Sequence, residues 1–422
     1  NFEDDMPRIA ECDWIIEVVM ERLDIKQKVF AEIAKHRKPG SIVSTNTSGI
    51  PISAIAEPMD PDMRRHFLGT HFFNPPRYLK LLELIPLPDT APEVVAFMAN
   101  FGENILGKGV VYAKDTPNFV ANRIITFAMQ YITHTMVEAG LSVEEIDALT
   151  GPNIGHAGSA TFRTADLVGL DTLQKVIGNV YHGCPNDERH DLMKGPAWFD
   201  AMIEAGYLGD KSGGGFYRKS DAKDEKGKTI ILGYDPVAGD YRPPIKPRFD
   251  CTGAVRNIDS LPEKLRIMYL GEDKGSKYLF DFFAHLAQYA GNRIPEIADD
   301  ILQIDNACKW GFNWEIGIFE TWDVLGFDRV CTHMESLGLA LPSVARMMRE
   351  AGLSAFYKSD ENGAWYFDNL TRGYKQVPLN PKDLKLIHIK ANPSTVVRSW
   401  DEAGLIDIGE GILCAEFHGK MN

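Results

Sequence analysis

Residues 12–19 read CDWIIEVV and residues 41–46 read SIVSTN, two short apolar runs with a helical pattern between them. The first has the pattern of a strand buried on both faces. Asp24 can cap a helix that carries Ile25, Val29, Ile33 and Ala34 on one face, and Pro39-Gly40 stops it. Outward from there the alternation continues. Residues 51–56 read as a short helix, 67–73 (FLGTHFF) and 78–87 (YLKLLELIPL) as strands, 92–106 as helix and 109–114 as strand. Strand–helix alternation at this spacing predicts an α/β fold with a mostly parallel, doubly wound sheet.

After Thr116-Pro117 the texture turns helical. Residues 118–139 form one long apolar-periodic segment that Gly140 can end, and further helical segments follow up to GDKSGGGFYRK at 209–219. The stretch 219–257 is polar and rich in Pro and Gly, which reads as a linker. Residues 258–350 are helical again, 351–400 form a connecting segment of mixed pattern, and 405–417 read as two strands around a Gly-Glu-Gly turn. TFRTADLVGLD (161–171) aligns with IFETWDVLGFD (318–328), sharing Phe, Thr, Asp, Gly and Asp, and EEIDAL (144–149) faces LQIDNA (302–307). Two homologous all-α domains are expected, since only two copies are visible; chance similarity of amphipathic helices is the alternative.

The 422 residues suffice for several domains, and 44% hydrophobic with 25% charged residues excludes a wholly disordered chain. A formal charge of −14 argues against nonspecific binding to nucleic acid or anionic membranes. No apolar run of about 18 residues is present, so no membrane span is expected. Cys12, Cys184, Cys251, Cys308, Cys331 and Cys414 lie far apart without a CxxC pair. That is neither a disulfide framework nor a zinc site, and it suits a reducing compartment. The opening, NFEDDMPRIAE, carries no signal segment and reads as a chain entered in mid-domain.

His71 ends one apolar run, and Asn74-Pro75-Pro76 breaks the chain just beyond it. Glu83 interrupts the next run, LKLLELIPL, where an unpaired buried charge would be costly. Two strands joined by a short break can set His71 beside Glu83. The carboxylate would fix the imidazole tautomer and leave the other nitrogen free to take a proton. The plainer alternative is a structural His and a solvent-facing Glu. Ser48, in NTSGI, follows a predicted strand at the end where open α/β sheets bind ligands; it either orients a substrate oxygen or caps a turn. Asn122 lies early in the helix after Pro117, where its amide donates to a carbonyl or to a neighbouring loop. Glu21 and Lys26 flank the end of CDWIIEVV and read either as ribose or nicotinamide contacts or as solvated charges. The loop holding His182, Cys184 and His190 lacks metal-site spacing, and no metal is expected.

NTSGI, GTHFFNPPRYLKLLELI, KDTPNFVANRI, DLVGLD and GDKSGGGFY occur here in order. In that order they resemble the L-3-hydroxyacyl-CoA dehydrogenases of fatty-acid β-oxidation. The second helical copy resembles the duplicated domain of the multifunctional members, and LIDIGEGILCAEFHGKMN resembles the first strands of a crotonase (enoyl-CoA hydratase) domain. The resemblance implies an incomplete Rossmann-type doubly wound sheet (1–114) followed by two homologous all-α domains (115–218 and 258–350). It further implies a 219–257 linker, a 351–400 connecting segment and the start of a crotonase-like domain at 401–422. It implies His71 as catalytic base, Glu83 as its partner, Ser48 and Asn122 as substrate contacts, and Glu21, Lys26 and Asn46 on the cofactor side. The implied reaction is NAD-dependent oxidation of an L-3-hydroxyacyl-CoA (EC 1.1.1.35 class), with hydratase activity in a C-terminal part. The implied setting is a bacterial cytoplasm or mitochondrial matrix, and the assembly a homodimer or a β-oxidation complex. The family's opening strand and GxGxxG turn are not in this sequence, so this stretch made alone is expected to bind NAD weakly or not at all. Asn118 stands where the family often has Gly, in a helix-start turn expected to tolerate it. The alternative is a noncatalytic scaffold that docks the hydratase domain or dimerises.

Overall fold

The computed structural model describes residues 5–360, 363–378, 380, 386–390 and 392–418. The outermost residues of the 1–114 and 401–422 segments, and part of 351–400, lie outside these. Two compact units emerge: the first runs to Phe356 and includes Phe367–Gly373, and the second holds Tyr357–Tyr366 and the chain from Tyr374.

The first unit opens with a five-stranded sheet in the order β1-β2-β3-β4-β5, comprising β1 (Trp14–Glu17), β2 (Ile42–Thr45), β3 (Phe67–Phe72), β4 (Leu81–Pro86) and β5 (Gly109–Tyr112). β1/β2, β2/β3 and β4/β5 are parallel, while β3/β4 is antiparallel, so the sheet is mixed. The antiparallel pair follows from the short break at Asn74-Pro75-Pro76, which leaves no room for a crossover helix. Residues 78–80 fall in that connection, and β4 begins at Leu81. Four helices dress the sheet: α1 (Leu23–His36), α2 (Ile52–Ala56), α3 (Pro61–Arg65) and α4 (Pro92–Asn104). Val94, Met98 and Ala99 of α4 pack on Leu68, Leu82, Leu84 and Val110 of one sheet face. On the other face Phe30 of α1 meets Phe67 edge-on at 5.2 Å. CDWIIEVV departs from its expected burial on both faces. β1 stands at the edge of the sheet among the described residues, and Ile16 is 37% exposed.

The helical part follows: α5 (Ala121–Thr135), α6 (Val143–Leu149), α7 (Phe162–Val168), α8 (Leu170–Gly183), α9 (Ala197–Glu204), α10 (Asp250–Ala254), α11 (Leu261–Leu270), α12 (Lys274–Asn292), α13 (Ile301–Phe312), α14 (Ile318–Leu325), α15 (Phe327–Ser336) and α16 (Ser343–Glu350). α5 starts three residues later than its periodicity predicts, because Asn118 (φ +64°) and Phe119 (φ +51°) are left-handed. Asn is among the few residues that visit that region readily, which accounts for its standing in place of Gly.

The duplication is visible contact by contact. Asp166 of α7 accepts from the N–H groups of Phe216 and Tyr217, and Asp323 of α14 accepts from that of Phe356. Asp147 of α6 caps the following helix through Phe162 N–H, as Asp305 of α13 does through Phe319 N–H. Gly169 (φ +95°) and Gly326 (φ +98°) make the same sharp turn between paired helices. The expected linker is instead a three-stranded antiparallel sheet, β6 (Tyr217–Lys223), β7 (Thr229–Asp235) and β8 (Asp240–Arg242). Arg242 fastens it to Glu144 of α6 with two bonds of 2.9 and 2.8 Å. Its Pro and Gly residues mark tight turns rather than a flexible tether. The second copy likewise leads into three strands, β9 (Tyr357–Asp360), β10 (Gly363–Asp368) and β11 (Gly373–Gln376). In the second unit, β13 (Ala403–Asp407) and β14 (Leu413–Phe417) form the hairpin expected around Gly409-Glu410-Gly411, with β12 (Val396–Ser399) alongside.

Candidate active site

β3 and β4 place His71 and Glu83 directly opposite each other in the antiparallel register, so their side chains project from the same face. The imidazole Nδ1 lies 2.7 Å from Glu83 Oε2. Glu83 is fully buried and His71 is 5% exposed. The other carboxylate oxygen, Oε1, accepts from the N–H groups of Val120 (3.1 Å) and Ala121 (2.9 Å) at the start of α5. These are amides a helix cannot satisfy internally, at its positive end, and a carboxylate is stabilised there. Glu83 therefore has donors on both oxygens, and Nε2 of His71 is left to face a ligand. Phe73 and Phe119 flank the imidazole, with ring centroids at 4.7 and 5.5 Å.

His71 opens onto a cleft of about 440 Å³ that Ser48 and Asn122 also line. Ser48 follows β2 in a turn held by Glu21, which accepts from Thr47 Oγ1 and from the N–H groups of Ser48 (3.1 Å) and Gly49 (3.0 Å). A Cβ on Gly49 would sit 2.1 Å from Asn179 Nδ2 of α8, which closes over this turn, so a larger residue there would displace the Asn179 side chain. Asn122 projects from the first turn of α5, one residue beyond the amides that hold Glu83. The wall opposite comes from the second repeat and includes Phe282, Phe312, Asn313 and Trp314. No spacing rule near His71 points to these four. They reach the cleft only because α12 and α13 pack against α5 and β5.

The residues expected on the cofactor side cluster at the carboxyl ends of β1 and β2. Lys26 is 1% exposed; its ammonium bonds Glu17 Oε1 (2.9 Å) and Oε2 (3.1 Å) and lies 3.3 Å from Glu21 Oε2. It sits beneath the loop as a brace, with its charge already partnered. Burial acts to raise the Glu21 carboxyl, but Thr47, Lys26 and the amides of Gly49 and Ser48 outweigh it and hold the group below its usual 4.5. Asn46 Oδ1 accepts from Phe72 N–H at 2.9 Å, tying β2 to the end of β3. Glu17 was not singled out in the sequence, although it interrupts CDWIIEVV as Glu83 interrupts LLELI. Its carboxylate binds Lys26, Thr45 and the N–H of Val19. Between these polar groups Val18 and Met20 are 68% and 61% exposed. An apolar shelf rimmed by amides and carboxylates at strand carboxyl ends fits a planar nicotinamide ring and its ribose.

Residues 1–116 match the family model described as 3-hydroxyacyl-CoA dehydrogenase, NAD binding domain, and residues 119–219 match 3-hydroxyacyl-CoA dehydrogenase, C-terminal domain. The chain is 43% identical over 423 residues to the "Probable 3-hydroxyacyl-CoA dehydrogenase" of Bacillus subtilis, covering 100% of this chain and 52% of that protein. To the 3-hydroxybutyryl-CoA dehydrogenase of Mycobacterium tuberculosis it is 34% identical over 220 residues, 51% of this chain and 74% of that one. The crystal structure of 3-hydroxybutyryl-CoA dehydrogenase from Escherichia coli shares the fold, with a TM-score of 0.63 at 23% identity over 82% of this chain and 84% of that one. The chain belongs to the 3-hydroxyacyl-CoA dehydrogenase family. It spans about half the length of the Bacillus relative.

Proposed function

We propose that the protein oxidises L-3-hydroxyacyl-CoA to 3-ketoacyl-CoA with NAD. The observation that carries this reading is the His71–Glu83 bond of 2.7 Å at the mouth of a largely apolar cleft. NAD supplies the hydride acceptor when bound. His71 Nε2 takes the proton of the 3-hydroxyl as hydride leaves the same carbon. Nδ1–H stays on Glu83, so the tautomer is fixed and the imidazolium is stabilised as it forms. Ser48 and Asn122 hydrogen-bond the oxygen that becomes the ketone, and hold it where one base serves one carbon. Glu21, Lys26 and Asn46 shape the loop against which the nicotinamide side rests; for Lys26 that role is structural, because it is buried against Glu17.

The acyl-CoA is the small-molecule partner. A homodimer or a β-oxidation complex, a hydratase domain beginning at the β13–β14 hairpin, and a cytoplasmic or matrix setting all rest on the family resemblance. The six free cysteines accord with a reducing compartment. No helix among the described residues is long and apolar enough to cross a membrane. The test is NADH formation by the full-length protein on L-3-hydroxyacyl-CoA substrates. A protein that binds acyl-CoA yet forms no NADH would instead be the noncatalytic scaffold.

A further inference from the structure

The cleft has a measurable depth. Asn122, Ile125, Met129 and Ile132 line it from one face of α5, at the three- and four-residue spacing of a single helical stripe. The first residue of this stripe stands beside the amides that hold Glu83, so the stripe leads away from His71. Ten residues at 1.5 Å each carry it about 15 Å. α12 runs antiparallel to α5: Arg123 Nε bonds Tyr289 Oη at 2.6 Å, Phe127 stacks on Tyr289, Tyr131 meets Phe282, and Thr135 bonds Tyr278. Phe282 therefore stands level with Ile132, at the end far from His71. Both side chains line the cleft and are 2% exposed, so that stretch of the cleft is walled by buried side chains. The side wall is a ladder of rings. Phe73, against His71, meets Phe312 at 5.7 Å; Phe312 meets Trp314 at 6.5 Å; Trp314 stacks on His156 at 3.8 Å. Phe282, Phe312 and Trp314 all belong to the second repeat.

We propose that the second helical repeat is the acyl-chain ruler of this enzyme. The chain lies along the cleft stripe of α5 with its C3 at His71 and its methyl end against Phe282. An extended chain advances about 1.2 Å per bond, so a depth of about 15 Å holds about twelve bonds beyond C3, an acyl group of up to about fifteen carbons. The preferred substrates are acyl-CoAs whose chains fill that depth without exceeding it, up to about fifteen carbons. The proposal rests on the acyl-CoA reading above.

The test measures binding, without cofactor, of saturated acyl-CoAs of increasing length to the full-length protein by calorimetry. Each buried methylene is worth roughly fourfold in affinity. Affinity is expected to climb at that rate to about fifteen carbons and then level off or fall. Ala128, midway along the cleft, should move the break to shorter chains when changed to Leu. Phe282→Leu should move it to longer ones, and if that variant does not fold, Ala128→Leu decides. A rise that continues unbroken to about twenty carbons, or a break that neither variant moves, overturns the ruler. NADH formation on every chain length with such a result would leave the reaction standing. A break near about fifteen carbons without any NADH formation would sustain the ruler and remove the reaction.

Discussion

At the scale of residues, the two oxygens of Glu83 do different things, and substitutions can separate them. His71→Ala removes the proposed proton acceptor and should lower turnover of the full-length protein by at least about 100-fold, read as initial rates of NADH formation. Glu83→Gln keeps the shape but loses the charge, so turnover should fall while the fold stays intact. Glu83→Ala strands the amides of Val120 and Ala121 as well, and should cost about 1–3 kcal/mol in urea unfolding beyond its effect on rate. Glu21 offers a test in pH. Its folded carboxyl is held below the usual 4.5, so its contribution to stability is complete above that value and lost as pH falls through the lowered one. The stability difference between wild type and Glu21→Gln should be flat from neutrality down to about pH 4.5 and shrink below it, as urea midpoints at stepped pH would show.

Among the elements, the two helical copies keep the parts that hold helices together. Gly169→Ala and Gly326→Ala each force a side chain onto a φ near +95°, and each should destabilise by about 1 kcal/mol or more in thermal or urea unfolding. An effect in one copy alone would show that the two turns are not equivalent. The sequence carried this duplication openly, because the paired Asp and Gly do local work: an Asp receives amides at a helix start or chain reversal, and a Gly turns a corner. The strand–helix alternation was legible for the same reason. What escaped had separate causes. The antiparallel β3/β4 pair could be read from the short break at Asn74-Pro75-Pro76, but periodicity alone does not give strand direction. The 219–257 stretch looked like a tether because a small surface sheet needs many turn residues and few apolar ones. Of the site, the residues on strand ends and the helix start were readable as chemical types in position. The wall from Phe282 to Trp314 was not, because it lies more than a hundred residues away and is apolar like any core.

On the scale of the whole molecule, the two repeats are bolted together by a buried cluster of charge. Arg123, fully buried on α5, bonds Tyr289 on α12, Cys184 Sγ (2.9 Å), Asp187 (2.5 Å) and Glu296 (3.2 Å), while Arg293 shares Asp187 at 2.9 Å. Breaking a buried pair from one side leaves the other charge poorly compensated, so Arg123→Ala should cost roughly 3 kcal/mol by urea unfolding. Arg293 keeps that figure at the low end, and the double change Arg123→Ala with Arg293→Ala should exceed the sum of the two. The shared acceptor at Glu83 acts between the sheet and α5 in another way. A nascent chain exposes the histidine and its carboxylate before it exposes Ala121, and only when that helix arrives is the second oxygen filled. The proposed acid–base pair is thus fully bonded only once α5 has docked on the sheet, so the same contact that closes the domain also finishes the site.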